Sequence, residues 1–206
     1  MRRATLATLA AAFAMSAHAG TFGFDEDATG AAPKGWTCGA TGAGTARWIV
    51  EADPSAPSPP NVLRQSGSAD FPWCARKDIA MADGFVEVRF KALAGREDQA
   101  GGLVWRWQDG NNYYVARANA LENNVSLYYT VNGSRKTLKY VDAPVPANQW
   151  HTLRVAFQGK RIQVTFNGKT YIELDDDHIK AGGAVGVWTK ADSVTSFDDF
   201  SYAATK

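Results

Sequence analysis

The chain is poor in the residues that redox, metal and nucleophile chemistry draw on. Its 206 residues include only two cysteines, three histidines and three methionines. Two cysteines and scattered histidines lack the spacing of a zinc finger. A charge excess is also missing, with 22 Lys and Arg against 21 Asp and Glu. That balance gives no global pull toward nucleic acid or an anionic membrane. No segment past the first twenty residues carries sustained helical periodicity, and no repeat of solenoid or propeller length is present. No apolar run is long enough to span a bilayer, so no membrane span is expected. Nucleophile elbow, zinc-hydrolase helix and phosphate loop are all absent. Gly101-Gly102 precedes a strand pattern rather than a helix, so it is not a nucleotide fingerprint.

What is present starts with a leader. Arg2 and Arg3 precede a short apolar run, Leu6 to Met15, and the small-x-small triplet Ala17-His18-Ala19. This reads as a signal peptide over residues 1–19, cleaved before Gly20, with a periplasmic or secreted destination. Without Arg2 and Arg3 the Lys and Arg count falls to 20 against 21 acidic residues, so the mature chain is slightly acidic. Residues 20–206 are of a size for one domain with a real core. In an exported chain, the even count of Cys38 and Cys74 suggests a disulfide; two unrelated buried thiols are the alternative.

The N-terminal part reads as loop-rich. Gly35, Gly39, Gly42 and Gly44 punctuate it, and residues 54–60, Pro-Ser-Ala-Pro-Ser-Pro-Pro, forbid regular structure. From residue 84 strand alternation is clear. Val86, Val88 and Phe90 alternate with Glu87, Arg89 and Lys91. Further strands are read at 103–108, 113–119, 125–131, 135–141, 150–157, 161–166, 170–174, 184–189 and 195–202. Asn132-Gly133 and Asn167-Gly168 are hairpin signals. Many short strands with Gly and Asn turns predict an all-β, two-sheet antiparallel jelly-roll sandwich.

Period two puts Leu103, Trp105 and Trp107 on one face of their strand and Val104, Arg106 and Gln108 on the other. On the next strand Tyr113, Val115, Arg117 and Asn119 share a face. Arginine inside a central strand is costly unless it meets solvent, a carboxylate or a ligand. Arg106 and Arg117 are therefore expected to line a solvated face, with Asn119, Trp107, Tyr113, Tyr128, Trp188 and Lys190 as further ligand-binding candidates. Aromatic platforms with planar polar groups suit sugar hydroxyls. The competing explanation pairs Arg106 and Arg117 with carboxylates such as Glu122 and puts the tryptophans in the core. The acidic residues Asp25, Glu26, Asp27, Asp198 and Asp199 supply hard oxygen donors of the kind calcium takes; solvated acidic turns are the alternative. No catalytic residue is assigned. Glu173-Leu-Asp175-Asp-Asp177 is the nearest approach to a paired-carboxylate glycosidase motif, but it departs from it at the last position. Glu122, Asp109 and Asp142 are loose acid–base candidates, and His151 and His178 read as structural or solvated. Nothing in the sequence fixes an oligomeric state.

Several longer runs carry a family resemblance. They are Gly101-Gly-Leu-Val-Trp-Arg-Trp-Gln-Asp-Gly-Asn-Asn-Tyr-Tyr-Val-Ala-Arg-Ala-Asn119, Trp150-His-Thr-Leu-Arg-Val155, Phe166-Asn-Gly168, Gly186-Val-Trp-Thr-Lys-Ala-Asp192 and Phe197-Asp-Asp-Phe200. Together they resemble concanavalin A-like (laminin G-like) jelly rolls over about residues 22–202, and within these the bacterial exported domains grouped with 3-keto-disaccharide hydrolases. The resemblance implies two antiparallel sheets, one with a concave face that holds a carbohydrate ligand. It also implies a structural calcium between the N-terminal strand and the acidic C-terminal strand, here at Asp25, Asp198 and Asp199. The superfamily spans hydrolases, lectins and structural modules, so a glycoside or 3-keto-glycoside hydrolase and an envelope protein-interaction module stand as alternatives to sugar binding.

Overall fold

The computed structural model describes residues 19–205. The proposed leader, apart from Ala19, lies outside the described residues. Fifteen strands and no helix make up the described chain. Strands β1 (Ala19–Phe22), β3 (Trp48–Ala52), β4 (Asn61–Gln65), β6 (Gly84–Ala94), β11 (His151–Gln158), β12 (Arg161–Phe166), β13 (Lys169–Asp175) and β15 (Val194–Ala204) form one sheet. Its order is β13-β12-β11-β6-β15-β4-β3, with β1 paired to β15. The second sheet runs β10-β9-β8-β7-β14-β5-β2. It is built from β2 (Thr37–Thr45), β5 (Ser68–Met81), β7 (Ala100–Asp109), β8 (Asn112–Asn119), β9 (Asn124–Val131), β10 (Ser134–Asp142) and β14 (Gly183–Trp188). Every pairing is antiparallel. This is the two-sheet jelly-roll sandwich that the alternation predicts.

Alternation decides which residues enter the core between the sheets. Val86, Val88, Phe90, Leu153, Val155, Phe157 and Phe197 come from one sheet, and Leu103, Trp105, Tyr114, Leu127 and Val187 from the other. Trp105 stacks on Tyr114 at 5.3 Å and on Phe157 at 5.9 Å, which joins the two layers. The two Asn-Gly turns close β9–β10 and β12–β13, with φ of 51° and 76° at Asn132-Gly133 and 48° and 79° at Asn167-Gly168. Positive φ at both positions matches the right-handed twist of the flanking strands.

The N-terminal part departs from the loop-rich expectation. Four strands, β2 to β5, lie between residues 37 and 81, and β5 is the longest strand of the fold at 14 residues. Residues 23–36 and the proline segment behave as expected and stay irregular. The glycines that suggested loops serve packing instead: a Cβ at Gly39 would lie 3.0 Å from the Trp73 ring. Cys38 and Cys74 face each other across β2 and β5 and form a disulfide.

Candidate functional site

The seven-stranded sheet turns a second face away from the core, and that face also carries buried aromatics. Trp73 from β5, Trp107 and Val104 from β7, Tyr113 and Val115 from β8, Tyr128 from β9 and Trp188 from β14 pack together there, with Phe71 against them. No second sheet covers this cluster. The sheet shelters it by curling. Thr41, on edge strand β2, hydrogen-bonds the Tyr113 hydroxyl at 2.8 Å and also reaches the carbonyl of Gly110 in the β7–β8 turn. A Cβ at Gly133, in the turn at the opposite edge, would lie 3.9 Å from Thr41 Cγ2. The face is thus a trough whose two edges approach one another.

Register explains how so many rings fit. One row across the sheet reads Gly39, Trp73, Trp188, Gly102, Arg117, Ser126, Tyr140. Each tryptophan in this row has a glycine beside it. A Cβ at Gly102 would come within 3.3 Å of the Trp188 ring, so glycine there leaves the indole its place.

Polar groups gather at one end of the trough. Asp98, just before β7 and buried, accepts from Arg117 Nη1 at 2.6 Å, Asn119 Nδ2 at 2.6 Å and Lys190 Nζ at 2.9 Å. Arg117 Nη2 donates to Glu122 at 2.6 Å, and Glu122 also accepts from Asn124 Nδ2 at 2.7 Å. Burial works to lower the Arg117 ionisation and is outweighed by Tyr128, Glu122 and Asp98, so the guanidinium is held more firmly charged than usual. Burial pushes the Tyr113 hydroxyl up. Tyr140, 48% exposed, stands at the rim and accepts from Asn124 Nδ2 at 2.8 Å. Beside Phe71 and Lys190 opens a cavity of about 350 Å³, also lined by Asp70 and Glu97.

Several buried polar atoms on this face have no hydrogen-bond partner: the Trp73 and Trp107 indole nitrogens, Arg117 Nε, Thr130 Oγ1 and Arg135 Nη1. Buried polar groups are nearly always satisfied by protein, water or ligand. Trp48 and Trp105, in the core between the sheets, also have unpartnered indole nitrogens.

The sequence-derived candidates divide. Arg117, Asn119, Trp107, Tyr113, Tyr128, Trp188 and Lys190 come together on this face. Arg106 does not. It has φ of 45° and sits at a bulge where the β7–β8 register slips between Trp105 and Asp109. The extra residue breaks strict alternation: Trp105 stays in the core while Trp107 joins the outer cluster. Arg106 instead closes one end of the sandwich. It donates to the carbonyls of Ala82 at 3.0 Å, Ile179 at 2.9 Å and Gly159 at 2.7 Å, and to Asp83 at 3.3 Å. Sequence reading also passes over Asp98, Arg135, Trp73 and Tyr140. They lie in segments that lack a clean alternation or precede a strand, so only the folded register reveals them.

Of the remaining acid–base candidates, Asp142 is exposed at the end of β10, away from any partner side chain among the described residues, and the others are occupied in local structure. Asp109 caps its own turn through Asn111 and Asn112. Glu173 takes up Arg161 and Gln163. His151 is buried between the Pro146 carbonyl at 2.8 Å and Asn167 at 3.0 Å. His178 stacks on Tyr129 and pairs with Asp176 at 2.8 Å.

The acidic ends of the chain approach each other. A Cβ at Gly23 would lie 3.5 Å from an Asp25 oxygen and 3.8 Å from an Asp198 oxygen. Ser58 donates to Asp198 through its amide at 2.8 Å and to Asp199 through its hydroxyl at 2.8 Å, and the Asn61 amide donates to Asp25 at 3.0 Å. Burial raises the Asp198 carboxyl to about 6, and the neighbouring Asp199 charge adds to the rise. The donor chemistry suits a hard cation, yet among the described residues no three His, Cys, Asp or Glu side chains are grouped to hold a metal.

These features define a class: a concanavalin A-like jelly roll with an aromatic trough on one sheet. Solved structures share this architecture. A carbohydrate-binding module, CBM66 from Bacillus subtilis, superposes with a TM-score of 0.68 at 19% identity, covering 82% of this chain and 96% of that one. A β-1,3-1,4-glucanase (lichenase) derived from a mouse hindgut metagenome gives 0.59 at 13% identity, over 90% and 98% of the two chains. The exoplasmic/lumenal domain of VIP36, in a Ca²⁺- and Man3GlcNAc-bound form, gives 0.59 at 12% identity and 84% of each chain. Likeness at these identities establishes the fold. Comparison with curated proteins by sequence finds no match. The family is settled by sequence: residues 34–200 match the model of the 3-keto-alpha-glucoside-1,2-lyase-like domain, and the chain belongs to that family.

Proposed function

We propose that the protein binds carbohydrate in the trough of the seven-stranded sheet. The observation that carries this reading is the pairing of an aromatic floor with unpartnered buried polar atoms, next to a preset hydrogen-bonding cluster. The half-buried Phe71 and the exposed Tyr140 offer ring surface to sugar CH faces, and the buried tryptophans and tyrosines beneath hold Phe71 in place. Asp98, Arg117, Asn119, Glu122 and Lys190 hold one another in fixed geometry, so each presents its remaining capacity without a large ordering cost. Similarity of fold to a carbohydrate-binding module and a glycan-bound lectin-like domain supports the same reading. A glycan array followed by calorimetric titration tests it. Binding to at least one oligosaccharide, weakened tenfold or more by Phe71→Ala or Lys190→Ala, is expected. Absence of binding across glucans, galactans and disaccharides would refute it.

A catalytic reading is favoured by the family and by one local observation: Asp98 and Glu122 flank the two ends of the Arg117 guanidinium. Turnover of a 3-keto-disaccharide that is abolished by Glu122→Gln would establish an enzyme in place of a binding protein. A protein-interaction module would need a contiguous apolar patch. The exposed large hydrophobics among the described residues are Leu121 and Tyr140, beside the polar end of the trough.

Two further readings belong to this proposal. Export is supported by the leader and is compatible with the Cys38–Cys74 disulfide; cell fractionation with N-terminal sequencing tests it, and an intact leader on cytoplasmic protein would refute it. A structural calcium at Asp25, Asp198 and Asp199 is supported by fold likeness to the Ca²⁺-bound form of the VIP36 domain and by the absence of an ion pair to these carboxylates among the described residues; their present arrangement groups no three donors, so the ion would have to draw them together. A rise in melting temperature with calcium over chelator is expected, and identical curves would refute it.

A further inference from the structure

Arg135 is a half-buried trough residue whose charge the fold leaves unpaired; Lys77, over the Trp107 ring at 5.3 Å, also lacks an ion pair but is exposed to water. Arg135 reaches in from edge strand β10, and its guanidinium carbon lies 4.3 Å from the Tyr128 ring centroid, 4.6 Å from Phe71 and 5.6 Å from Trp188. These rings belong to β9, β5 and β14, so this one side chain spans the trough. Arg117 lies over the same Tyr128 ring at 5.7 Å. The two guanidiniums are treated differently. Arg117 has a carboxylate on each terminal nitrogen, and Lys190 shares one of them, Asp98. No carboxylate stands within ion-pair distance of Arg135 among the described residues, and its Nη1 is buried without any acceptor. Asp98 and Glu122 are thus taken up by Arg117 and Lys190, and Arg135 pairs with neither.

Cation–π contact offsets part of the cost of sheltering a guanidinium, but it supplies no oxygen to the N–H groups. A protein needing only a lid over these rings has leucine or methionine for it. Arginine presents a planar fork of donors that matches carboxylate or sulfate geometry. Burial and the nearby Arg117 charge both work against Arg135. An arginine does not relieve such stress by losing its proton at ordinary pH, so the relief has to come from a counter-anion.

We infer that the trough selects acidic sugars, with a uronate carboxylate or a sulfate ester seated on the half-buried Arg135 and the neutral part of the ring lying against the half-buried Phe71, at the cavity it shares with Lys190. This rests on the carbohydrate-binding reading and names its ligand class. The mouth at Asp70 and Glu97 is acidic. It suits sugar hydroxyls and disfavours a second anion, so the charged ring is oriented toward Arg135.

The test is a glycan array of matched pairs, in which each backbone is present with and without its carboxylate or sulfate, followed by titration of the bound pair. Wild-type protein is expected to bind the charged member at least tenfold more tightly. That affinity falls several-fold between 50 and 200 mM NaCl (on the order of one ion pair), while the neutral member changes little. In Arg135→Gln the ratio of charged to neutral affinity falls toward one, and in Arg135→Lys it is partly restored. Circular dichroism and melting temperature show whether each variant is folded, and the salt series on wild type decides the matter if either is not. Equal binding of both members, or a preference for the neutral one, overturns the acidic-sugar inference and leaves carbohydrate binding standing. No binding to any member of any pair overturns both. Carboxylate and sulfate arms distinguish the two sources of negative charge.

Discussion

Removing the charge of Asp98 while keeping its shape tests whether the polar end of the trough is a preset unit. Asp98 is 3% exposed and accepts three donors, two of them cationic. A hydrogen bond to a charged group contributes about 1.5–3 kcal/mol, and breaking a buried ion pair costs about 3–5 kcal/mol. In Asp98→Asn one acceptor oxygen remains, but the new amide turns a donor toward other donors. Arg117 keeps Glu122, and Lys190, whose side chain is 26% exposed, turns to water. These losses and reliefs together give about 3 kcal/mol of destabilisation at neutral pH. For a domain of this size that lowers the melting temperature by about 6–12 °C. With a urea slope of about 2 kcal/mol/M it moves the midpoint by about 1.5 M. Tryptophan fluorescence reports the transition, since Trp188 and Trp107 lie on the same face. Lys190→Gln alone is expected to cost about 1 kcal/mol, and close to nothing in the Asp98→Asn background, which is the signature of coupling. A loss below 1 kcal/mol for Asp98→Asn, with no coupling to Lys190, would show that Asp98 is solvated and that the cluster is not preorganised.

Arg106→Gln strands buried carbonyls at the sandwich end and is expected to destabilise by about 2–3 kcal/mol in urea while leaving glycan affinity unchanged; a specific loss of binding would return Arg106 to the site. Reducing the Cys38–Cys74 bridge releases a loop with sequence separation 36; chain entropy sets its contribution at about 4 kcal/mol, read as the midpoint difference between oxidised protein and the double serine variant. Asp198 gives a pH signature. Its carboxyl is raised to about 6 in the fold from 3.8, so the folded state holds the proton more tightly than the unfolded chain. The resulting stability is fully present below the unfolded value and is lost as pH rises through about 6. In chelator-containing buffer the stability of Asp198→Asn relative to wild type should therefore grow by about 2 kcal/mol from pH 4 to pH 7; a flat difference would refute the shift.

The strands from residue 84 onward were legible because their alternation is regular and their Asn-Gly turns impose positive φ at the expected places. The five N-terminal strands were not, because the glycines that make room for Trp73 and for the bulged part of β2 look the same in sequence as loop glycines. Arg106 and Trp107 show the same limit at single-residue scale. Period-two counting holds through Trp105 and then fails at one residue in the left-handed region, which sends Trp107 to the trough and Arg106 to the sandwich end. A bulge of this kind leaves no mark in the local sequence, since Trp-Arg-Trp fits an unbroken strand equally well. Arg117 and Asn119 lie where β8 pairs with both neighbours in unbroken register, and their assignment to one face with Tyr113 agrees with it. Asp98 was invisible for a different reason: a carboxylate in an irregular segment acquires its meaning only from the three donors that long-range pairing brings to it.

The distribution of tryptophan carries the argument for function one step further. Trp36, Trp48 and Trp105 pack in the core between the sheets, and Trp150 is half-buried with its indole N–H on the Ser55 carbonyl at 2.7 Å. Trp73, Trp107 and Trp188 are on the other side of the second sheet, where no layer exists to be filled. Burying them there demands a strongly curled sheet, glycines at Gly39 and Gly102, and several polar atoms kept without partners. Each of these lowers stability relative to a flat sheet with a polar outer face. A sandwich selected for stability alone would carry none of them, and a core function cannot explain them because the core is complete without this cluster. The accessible part of this arrangement is its mouth, where Phe71, Lys190, Asp70 and Glu97 line a cavity above the buried rings, and that is the place to look for a ligand.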